Sequence, residues 1–595
     1  MRRSGGVGRR RVVVKSRIVR LRGQGLGAAR AHLKYIQRDG VTRNGAPGRL
    51  YDAQQDDADG RAFLARGEGD RHQFRFIVSP EDGTELDDLK PFVRGLMAEM
   101  ERDLDTRLDW VAVDHFNTDN PHSHIVVRGT DELGRDLVIA RDYIAHGLRE
   151  RASELLTLEL GPVTERQIEQ GYAREVGQER LTRLDREILR EAEAGVADLR
   201  REPAARVARF KHALKIGRLQ TLERMGLAEP AGAKRWRLAA GLETTLRDMG
   251  ERGDIIRTLH RELRAASVER AGAAHAIFDP TQANARVVGK VIARGRADEL
   301  NDRHYLVVDG TDGRTHYAEV GELADPGDYE PGAIVAVAGK RAEPRRADRT
   351  IADIAERSGG RYSAALHRAV DPRASREYVR AHVRRLEAMR PGGVAERLPD
   401  GSWAIPNDIL DRARAYEERA RLRQPARLVL LSSFSLERMV EADGATWLDR
   451  QLLADRPEPL RPAGFGNEVE NAIARRRRWL LRQGLAMERD GRTVYDRNLL
   501  NELRRRDVSA AADRLSKEVG KPFTELLDGD RLEGVYRGPL RLASGKFAVI
   551  EKSRAFALVP WRPELERVRG RAVSGIVRGT TISWSFARKR GLGIV

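Results

Sequence analysis

Between residues 11 and 21, in VVVKSRIVR, apolar positions alternate with Lys and Arg, and this period of two predicts a β-strand running out of a basic arm. Gly23 to Gly27 reads as a turn, and Ala28 to Gln37 has helical spacing, with Ala29, Leu33 and Ile36 on one stripe. Residues 40–70 are polar and rich in Gly and Asp, so a loop is expected there. HQFRFIVSP (72–80) predicts a strand stopped by Pro80. Residues 88–103 predict a helix with Leu89, Phe92, Leu96 and Met100 inward and Pro91 in its first turn. DWVAVDHF (109–116) and HSHIVVRG (122–129) predict strands that can pair as a hairpin, and residues 139–160 are again helical. The order β-α-β-α-β-β-α predicts an α+β layer, an antiparallel sheet with helices on one face.

Beyond this layer the pattern becomes modular. Residues 165–222 are helical in pattern and dense in Arg and Glu, and their i,i+4 opposite charges suggest solvated helices rather than core. Three segments share one layout of helix end, Gly, short strand, turn, aromatic strand and second helix: 222–249, 386–413 and 480–504. Gly226, Gly393 and Gly484 sit at matching places, as do Trp236, Trp403 and Tyr495. They read as three copies of a helix–hairpin–helix unit that resembles the recognition-helix-and-wing portion of winged-helix domains. Residues 285–340 and 531–595 each hold four or five short strands with Gly turns, the pattern of a small β-barrel, and they read as related copies. The expected α+β multidomain order is therefore 1–170, the α+β layer with its basic arm; 171–280, charged helices and one helix–hairpin–helix unit; 281–345, a small barrel; 346–528, a helical region with two further units; and 529–595, a second barrel.

Composition narrows the partners. The 595-residue chain has 109 Lys and Arg against 90 Asp and Glu, a net charge of +19, which favours a polyanion: nucleic acid or an anionic membrane surface. The first 23 residues hold nine basic and no acidic side chains and lack the apolar core of a signal peptide, so a cytoplasmic protein is expected. The absence of cysteine excludes disulfides, thiolate metal sites and a cysteine nucleophile. Any metal must be held by His, Asp, Glu or Asn.

Of the 13 histidines, three fall within ten residues only in His115-Phe-Asn-Thr-Asp-Asn-Pro121-His122-Ser-His124. His122 and His124 are two apart on a strand, so their imidazoles share a face. His115 ends the preceding strand and would pass beside them in a hairpin. Three imidazoles can then converge on one divalent cation and leave positions open for substrate oxygens. The plain alternative is three surface histidines, which the following IVV, expected as buried sheet, argues against. Tyr35 lies in HLKYIQRDG with Lys34, Arg38 and Arg43 around it; the ordinary reading is a half-buried packing residue, but a cationic setting favours phenolate and would hold phosphate. A tyrosine oxygen beside a metal is what attack on a phosphodiester requires.

On these residues the chain resembles the HUH-type relaxases, the conjugative mobilization nucleases. His115…Pro121-His122-Ser123-His124 is similar to their third motif and Tyr35 in LKYIQRDG to their first. Within them it resembles the type that includes the T-DNA border endonuclease, in a long form with an uncharacterised C-terminal extension. The resemblance covers about residues 10–170. It implies that Tyr35 is the nucleophile, that His115, His122 and His124 ligate Mg²⁺ or Mn²⁺, and that the enzyme nicks one strand at an origin of transfer, stays on the 5′ end through phosphotyrosine and later religates it. It also implies auxiliary relaxosome proteins and a coupling protein as partners. Two positions depart from the pattern: Asn117 stands where relatives often carry Asp, and Asn120 where they often carry His. Asn117 cannot act as a base. Asp119 or Asp114 is left to take that part, with Asp119 the candidate inside the motif, and Asn117 remains a candidate neighbour of the site.

Further candidates are His72, which begins a strand expected beside the His strand, and Arg9, Arg10 and Arg11 with Arg2 and Arg3 in the arm, which with Lys34 and Arg38 could follow DNA phosphates. The closing TISWSFARKRGLGIV joins aromatics to Arg588, Lys589 and Arg590, either for stacking on bases or as a last strand with a solvated tail. Two other functions stay open on the residues alone. One is a non-catalytic DNA-binding protein with a vestigial His cluster. The other is a metal-dependent phosphodiesterase that uses water.

Overall fold

The computed structural model describes residues 8–21, 26–38, 41–116, 120–269, 274–282, 284–298, 300, 302–323, 326–566, 568–579 and 581–585. The expected turn at Gly23, the arm residues Arg2 and Arg3, Asn117, Asp119 and the tail from Arg588 to Arg590 lie outside them. The protein is mixed α and β, with several antiparallel sheets, and divides into two compact units, Met1–Thr258 and Leu259–Val595. No helix among the described residues is long and apolar enough to cross a membrane.

The first unit opens with β1 (Val12–Arg20), α1 (Gly27–Ile36), α2 (Gly60–Arg66), β2 (His72–Pro80), α3 (Lys90–Leu104), β3 (Trp110–His115), β4 (His122–Arg128) and α4 (Leu148–Leu160). The four strands form one sheet in the order β1-β2-β4-β3, every pairing antiparallel. The helix α2 corrects the expectation of a loop over 40–70: Asp59 caps it by accepting from the amides of Arg61 and Ala62, and Phe63 and Leu64 are buried.

Helices on one face only is also corrected. One face of the sheet packs Phe74, Phe76, Ile125 and Val127 against Phe92, Leu96 and Met100 of α3 and Leu148, Ala152 and Leu156 of α4. The other packs Val111, Val113 and Val126 against Leu33 and Ile36 of α1 and Phe63 and Leu64 of α2. The physical reason is in the strands themselves: every residue of β3 and all but the last of its inner neighbour β4 are buried, so neither face of this half of the sheet can meet water.

The first unit continues through α5 (Glu165–Glu175), α6 (Arg183–Glu191), β5 (Val196–Asp198), α7 (Arg206–Arg224), the hairpin of β6 (Ala228–Pro230) and β7 (Arg235–Leu238), and α8 (Leu242–Ala265), which runs into the second unit. The second unit holds β8 (His275–Ile277), β9 (Arg286–Asp298), β10 (Arg303–Gly310), β11 (Thr315–Gly321) and β12 (Ile334–Gly339). Then come α9 (Arg346–Arg357), β13 (Arg361–Tyr362), α10 (Ala364–Val370), α11 (Arg376–Met389), β14 (Glu396–Arg397), β15 (Trp403–Ala404), α12 (Ile409–Arg423) and β16 (Ala426–Ser432). After α13 (Leu436–Val440) follow α14 (Trp447–Leu452), α15 (Gly464–Arg482), β17 (Ala486–Arg489), β18 (Arg492–Tyr495) and α16 (Leu499–Val519). The last elements are β19 (Arg531–Leu542), β20 (Gly545–Glu551), β21 (Phe556–Pro560), α17 (Pro563–Glu566), β22 (Ala572–Arg578) and β23 (Thr581–Ser585).

The three helix–hairpin–helix segments fold alike. Gly226, Gly393 and Gly484 end the first helix at φ of 71°, 69° and 67°, a left-handed conformation that a side chain would strain. Leu222, Met389 and Leu480, each four residues earlier, are fully buried, and Leu246, Ala413 and Leu503 match them on the second helix. The strand orders β5-β7-β6 and β13-β15-β14 are the same, and β17 pairs with β18.

Each copy also hides one Arg–Asp pair. Arg218, Arg385 and Arg476 all lie eight residues before the turn glycine. The Nε of each donates to one carboxylate oxygen of Asp185, Asp348 or Asp449 at 2.7, 2.8 and 2.8 Å, and the Nη2 of each to the other oxygen at 2.9 Å. The same aspartates cap α6, α9 and α14, accepting from the amides of Thr182, Arg345 and Thr446. The charged helices of 165–222, expected to be solvated, therefore bury charge at the first copy, and the other two copies do the same, because a bidentate pair with its remaining hydrogens bonded satisfies both ions.

The expected barrels are two sheets, β16-β12-β9-β10-β11-β8 and β21-β20-β19-β22-β23, whose pairings do not close into a ring among the described residues. Read from the long strand they have one topology: β9 and β19 each pair with the next strand and with the strand after a short helical turn, β12 or β22. The first sheet draws β16 from beyond the expected limit at 345, so the second helix–hairpin–helix copy is spliced between the neighbouring strands β12 and β16.

Removing one partner of a buried pair leaves an uncompensated charge, so Asp449→Ala should cost about 3–5 kcal/mol of local stability. Hydrogen exchange of the α15 amides would read it, with the exposed Arg482→Ala as a control expected within about 0.5 kcal/mol. Equal protection in both variants would mean that the pair does not hold the copy together.

Candidate metal centre

The hairpin register puts His115 directly opposite His122, and Val113 opposite His124. Paired residues of an antiparallel ladder share a face, so the three imidazoles rise from the face that α1 and α2 cover. Their ring centroids stand 5.3 Å apart for His115–His122, 4.3 Å for His115–His124 and 5.1 Å for His122–His124. One nitrogen from each lies within 4.8 Å of the others, and the residues are 0, 9 and 2 % exposed.

Two ring orientations are set by carbonyls. The Nε2 of His115 donates to the carbonyl of Ile36 at 2.7 Å, so Nδ1 is the nitrogen that could ligate a cation. The Nδ1 of His122 donates to the carbonyl of Asn120 at 3.0 Å, which leaves Nε2. Pro121, between them, fixes the backbone entering β4. Three neutral imidazoles suit a transition-metal ion such as Mn²⁺ better than Mg²⁺, which prefers oxygen and keeps its water.

The His115–Ile36 bond ties the cluster to the end of α1. Tyr35 is the residue before Ile36, half-buried, with the Arg38 guanidinium 4.2 Å above its ring. Lys34 is exposed on the same helix turn. Arg43 instead stacks on Phe116 at 4.3 Å and donates to the carbonyl of Leu86 at 2.8 Å. The segment after α1 is fastened along β3: Phe116 donates to the carbonyl of Val41, and Tyr51 and Ala112 exchange both backbone bonds. Gly48 is required there, since a Cβ would come within 2.6 Å of Val113.

Several expected site residues lie elsewhere. Asp114 and Ser123 alternate with the histidines and so face the opposite side of the sheet, where Asp114 accepts from Tyr51 Oη at 2.7 Å and Ser123 Oγ at 2.6 Å. Burial raises the Asp114 carboxyl to about 6, and the two hydroxyls partly offset this. Asp114 cannot ligate a metal at the cluster. His72 is also on the other face, five residues along β2 from the position opposite His124, or roughly 17 Å at strand spacing. It packs against Phe74 and meets the carbonyl of Leu137, which makes it a strand-end histidine.

The basic arm is corrected in part. Arg10 is 3 % exposed, with Asp82, Glu85 and the carbonyls of Leu160 and Gly161 around its guanidinium, so it clamps β1 to α4 and cannot reach DNA. Arg9 and Arg11 make surface pairs with Glu154 and Glu81, the weak kind that phosphate can displace. The Asp114–Tyr51–Ser123 network was missed by sequence reasoning, because Tyr51 falls in the stretch read as loop. Only the period of two, which turns Asp114 and Ser123 away from the histidines, hinted at it.

A family model described as a protein of unknown function (DUF3363) matches residues 215–593, more than half of the chain. The chain belongs to this family. No curated protein and no solved structure matches it. The DUF3363 match begins inside α7, so it takes in all three helix–hairpin–helix segments and both the six- and five-stranded sheets, while Asp185 of the first buried pair lies before it. The histidine cluster and Tyr35 lie before it.

The geometry makes metal retention separable by face. Wild type should retain about one Mn²⁺ per chain in equilibrium dialysis, and His122→Ala or His124→Ala should lose it. Asp114→Asn, on the opposite face, should keep it. Equal Mn²⁺ content in wild type and His124→Ala would remove the site.

Proposed function

We propose that the chain is a metal-dependent DNA strand transferase of the relaxase kind. In this reading it nicks one strand at an origin of transfer, holds the 5′ end as phosphotyrosine and later religates it. The observation that carries the reading is the hydrogen bond from His115 to Ile36, which fastens the triple-imidazole cluster to the helix turn that bears Tyr35. A phenol and a cation site held together by the backbone are the parts a phosphodiester transesterification needs.

In the forward step the Tyr35 oxygen attacks phosphorus, the bond to the sugar 3′-oxygen breaks, and a 3′-hydroxyl leaves. The phenol proton passes to a base, the part we assign to Asp119, and a proton from that base or from water completes the 3′-hydroxyl. One ester replaces another, so the step reverses without an added energy source, and the 3′-hydroxyl restores the strand. A divalent cation on His115, His122 and His124 would polarise a non-bridging phosphate oxygen. Arg38, stacked on the Tyr35 ring, and the exposed Lys34 offer positive charge to the same phosphate. The chain's +19 charge fits a nucleic-acid substrate. Auxiliary DNA-binding proteins and a coupling protein belong to the same reading.

The test is incubation of the full chain with Mn²⁺ and supercoiled plasmid carrying the cognate origin. Wild type should give nicked circles with protein on the 5′ end. Tyr35→Phe should form no adduct, and His122→Ala should lose at least about 100-fold in rate. Cleavage that survives Tyr35→Phe but not His122→Ala would instead mean hydrolysis by water. Binding without cleavage in wild type across origin sequences would end the nuclease reading.

A further inference from the structure

In the third helix–hairpin–helix copy, α15 buries one face and presents the opposite one. Phe465, Val469 and Ala472 pack with Val288, Ile334 and Ala336 of the six-stranded sheet, and Leu480 packs with Leu499 and Leu503 of α16. Arg476 sits on that inner face, locked to Asp449 and to the carbonyls of Val440, Ala442 and Gly444. The outer face carries Asn467, Asn471, Arg475, Arg478 and Arg482, all exposed and spaced by three or four residues.

Among the described residues no carboxylate comes within salt-bridge distance of Arg475, Arg478 or Arg482, although Glu437 lies near enough to feel the charge of Arg475, whereas Lys290 of β9 pairs with Glu468 of the same helix.

 Like charges three and four residues apart on one helix face repel, so the stripe costs stability until an anion covers it.

The hairpin that follows adds a second sign. Arg489 and Arg492 stand directly opposite each other across β17 and β18, at the turn of Asp490 and Gly491. Like charges in that position are unfavourable, and a phosphate between them would relieve the repulsion. The second copy repeats the arrangement: Arg376, Arg380 and Arg384 line the exposed face of α11, opposite its buried Val379, Leu386 and Met389.

We propose that the third copy docks on duplex DNA, with α15 in the major groove and the β17–β18 turn against an adjacent backbone. An α-helix with its side chains is about 10–12 Å across and the major groove about 12 Å wide. Asn can pair with an adenine edge and Arg with a guanine edge through two hydrogen bonds each, so the stripe can select sequence as well as bind charge. Duplex RNA does not fit, because its major groove is too narrow to admit a helix. Neither Tyr35 nor the histidine cluster takes part in this contact.

The experiment measures binding of the full chain, in EDTA and carrying Tyr35→Phe, to a fluorescent random-sequence DNA duplex across a salt series. Single-stranded DNA, duplex RNA and anionic vesicles serve as the other probes. The background chain should prefer the DNA duplex. The added triple substitution Arg475→Ala, Arg478→Ala and Arg482→Ala should weaken that binding at least about tenfold and lower the salt slope by about two to three. Its hydrogen-exchange protection in the inner face of α15 should stay unchanged, which separates lost contact from lost fold. Asn471→Ala should keep most of the affinity but flatten the sequence preference in a selection from random duplexes. Unchanged duplex affinity in the triple variant overturns the proposal. So does an equal loss on single strands, duplex RNA or vesicles, which would make the stripe an unselective positive surface. Because metal and nucleophile are both absent from the assay, failure of the nicking reaction leaves this result untouched, and the reverse also holds.

Discussion

A guanidinium taken wholly out of water must find an acceptor for nearly every hydrogen it carries, and this requirement organises most of the chain. Arg218 and Arg476 meet it identically: two bonds to an aspartate, and the remaining hydrogens to three carbonyls spaced two residues apart, of Val176, Gln178 and Arg180 in one copy and Val440, Ala442 and Gly444 in the other. To offer those carbonyls, the chain before the short helix must run extended around the arginine. The aspartate must in turn be held by the helix start it caps. One side chain thus fixes an incoming strand of chain, a helix N-terminus and the long helix it stands on. In the second copy Glu417 of α12 takes the place of the carbonyls as an ion pair to Arg385 at 2.7 Å, so there the arginine ties the last helix of the unit as well. Burial of such pairs adds little net stability but penalises every arrangement that leaves them apart.

That pair also explains what the sequence revealed and what it hid. The turn glycines and the aromatic strand positions are spaced regularly and could be aligned by eye. The arginines, eight residues before each glycine, could be aligned too, but their burial could not be read. A run such as ARRRRWLLR looks solvated, and only the fold distinguishes Arg476, with no exposure, from its exposed neighbours Arg475, Arg477 and Arg478. Arg10 was misread for the same reason: it sits between two exposed arginines in a basic run. Short-range pattern carries periodicity well, but it cannot tell which of several like charges will meet an acid far away in the chain.

The histidine cluster was legible because its geometry depends on local rules. The period of two puts His122 and His124 on one face, and a hairpin puts His115 opposite His122. Nothing longer-ranged was needed. The bond that joins the cluster to α1 was not legible, because it uses the Ile36 carbonyl, which no side-chain pattern announces. The covering of both sheet faces was only half legible. WVAVDH is apolar enough to demand two covers, yet the second cover, α2, is too short and too polar to stand out from the loop around it. The part of the candidate site that the chemistry most needs, the carboxylate expected near Asn117, falls on residues outside those described.

The family match and the cluster lie on different parts of the chain, and this separation bears on how the two could work together. A transesterification site needs only a short single-stranded segment and gains little from a long contact, whereas selection of one origin among many sequences needs base edges read in a duplex. Those demands conflict on one surface: the first requires the strands parted, the second requires them paired. A chain that answers both must carry them on separate elements. The helices on the sheet that holds the imidazoles, α1 and α2 on one face and α3 and α4 on the other, each pack one side against it. In the third helix–hairpin–helix copy α15 packs one side against the six-stranded sheet, with the Arg476–Asp449 pair buried on that side, and its opposite side is exposed. On α15 the two demands on arginine are met on opposite sides: Arg476 on the inner side holds the buried acid, and Arg475, Arg478 and Arg482 on the outer side are exposed.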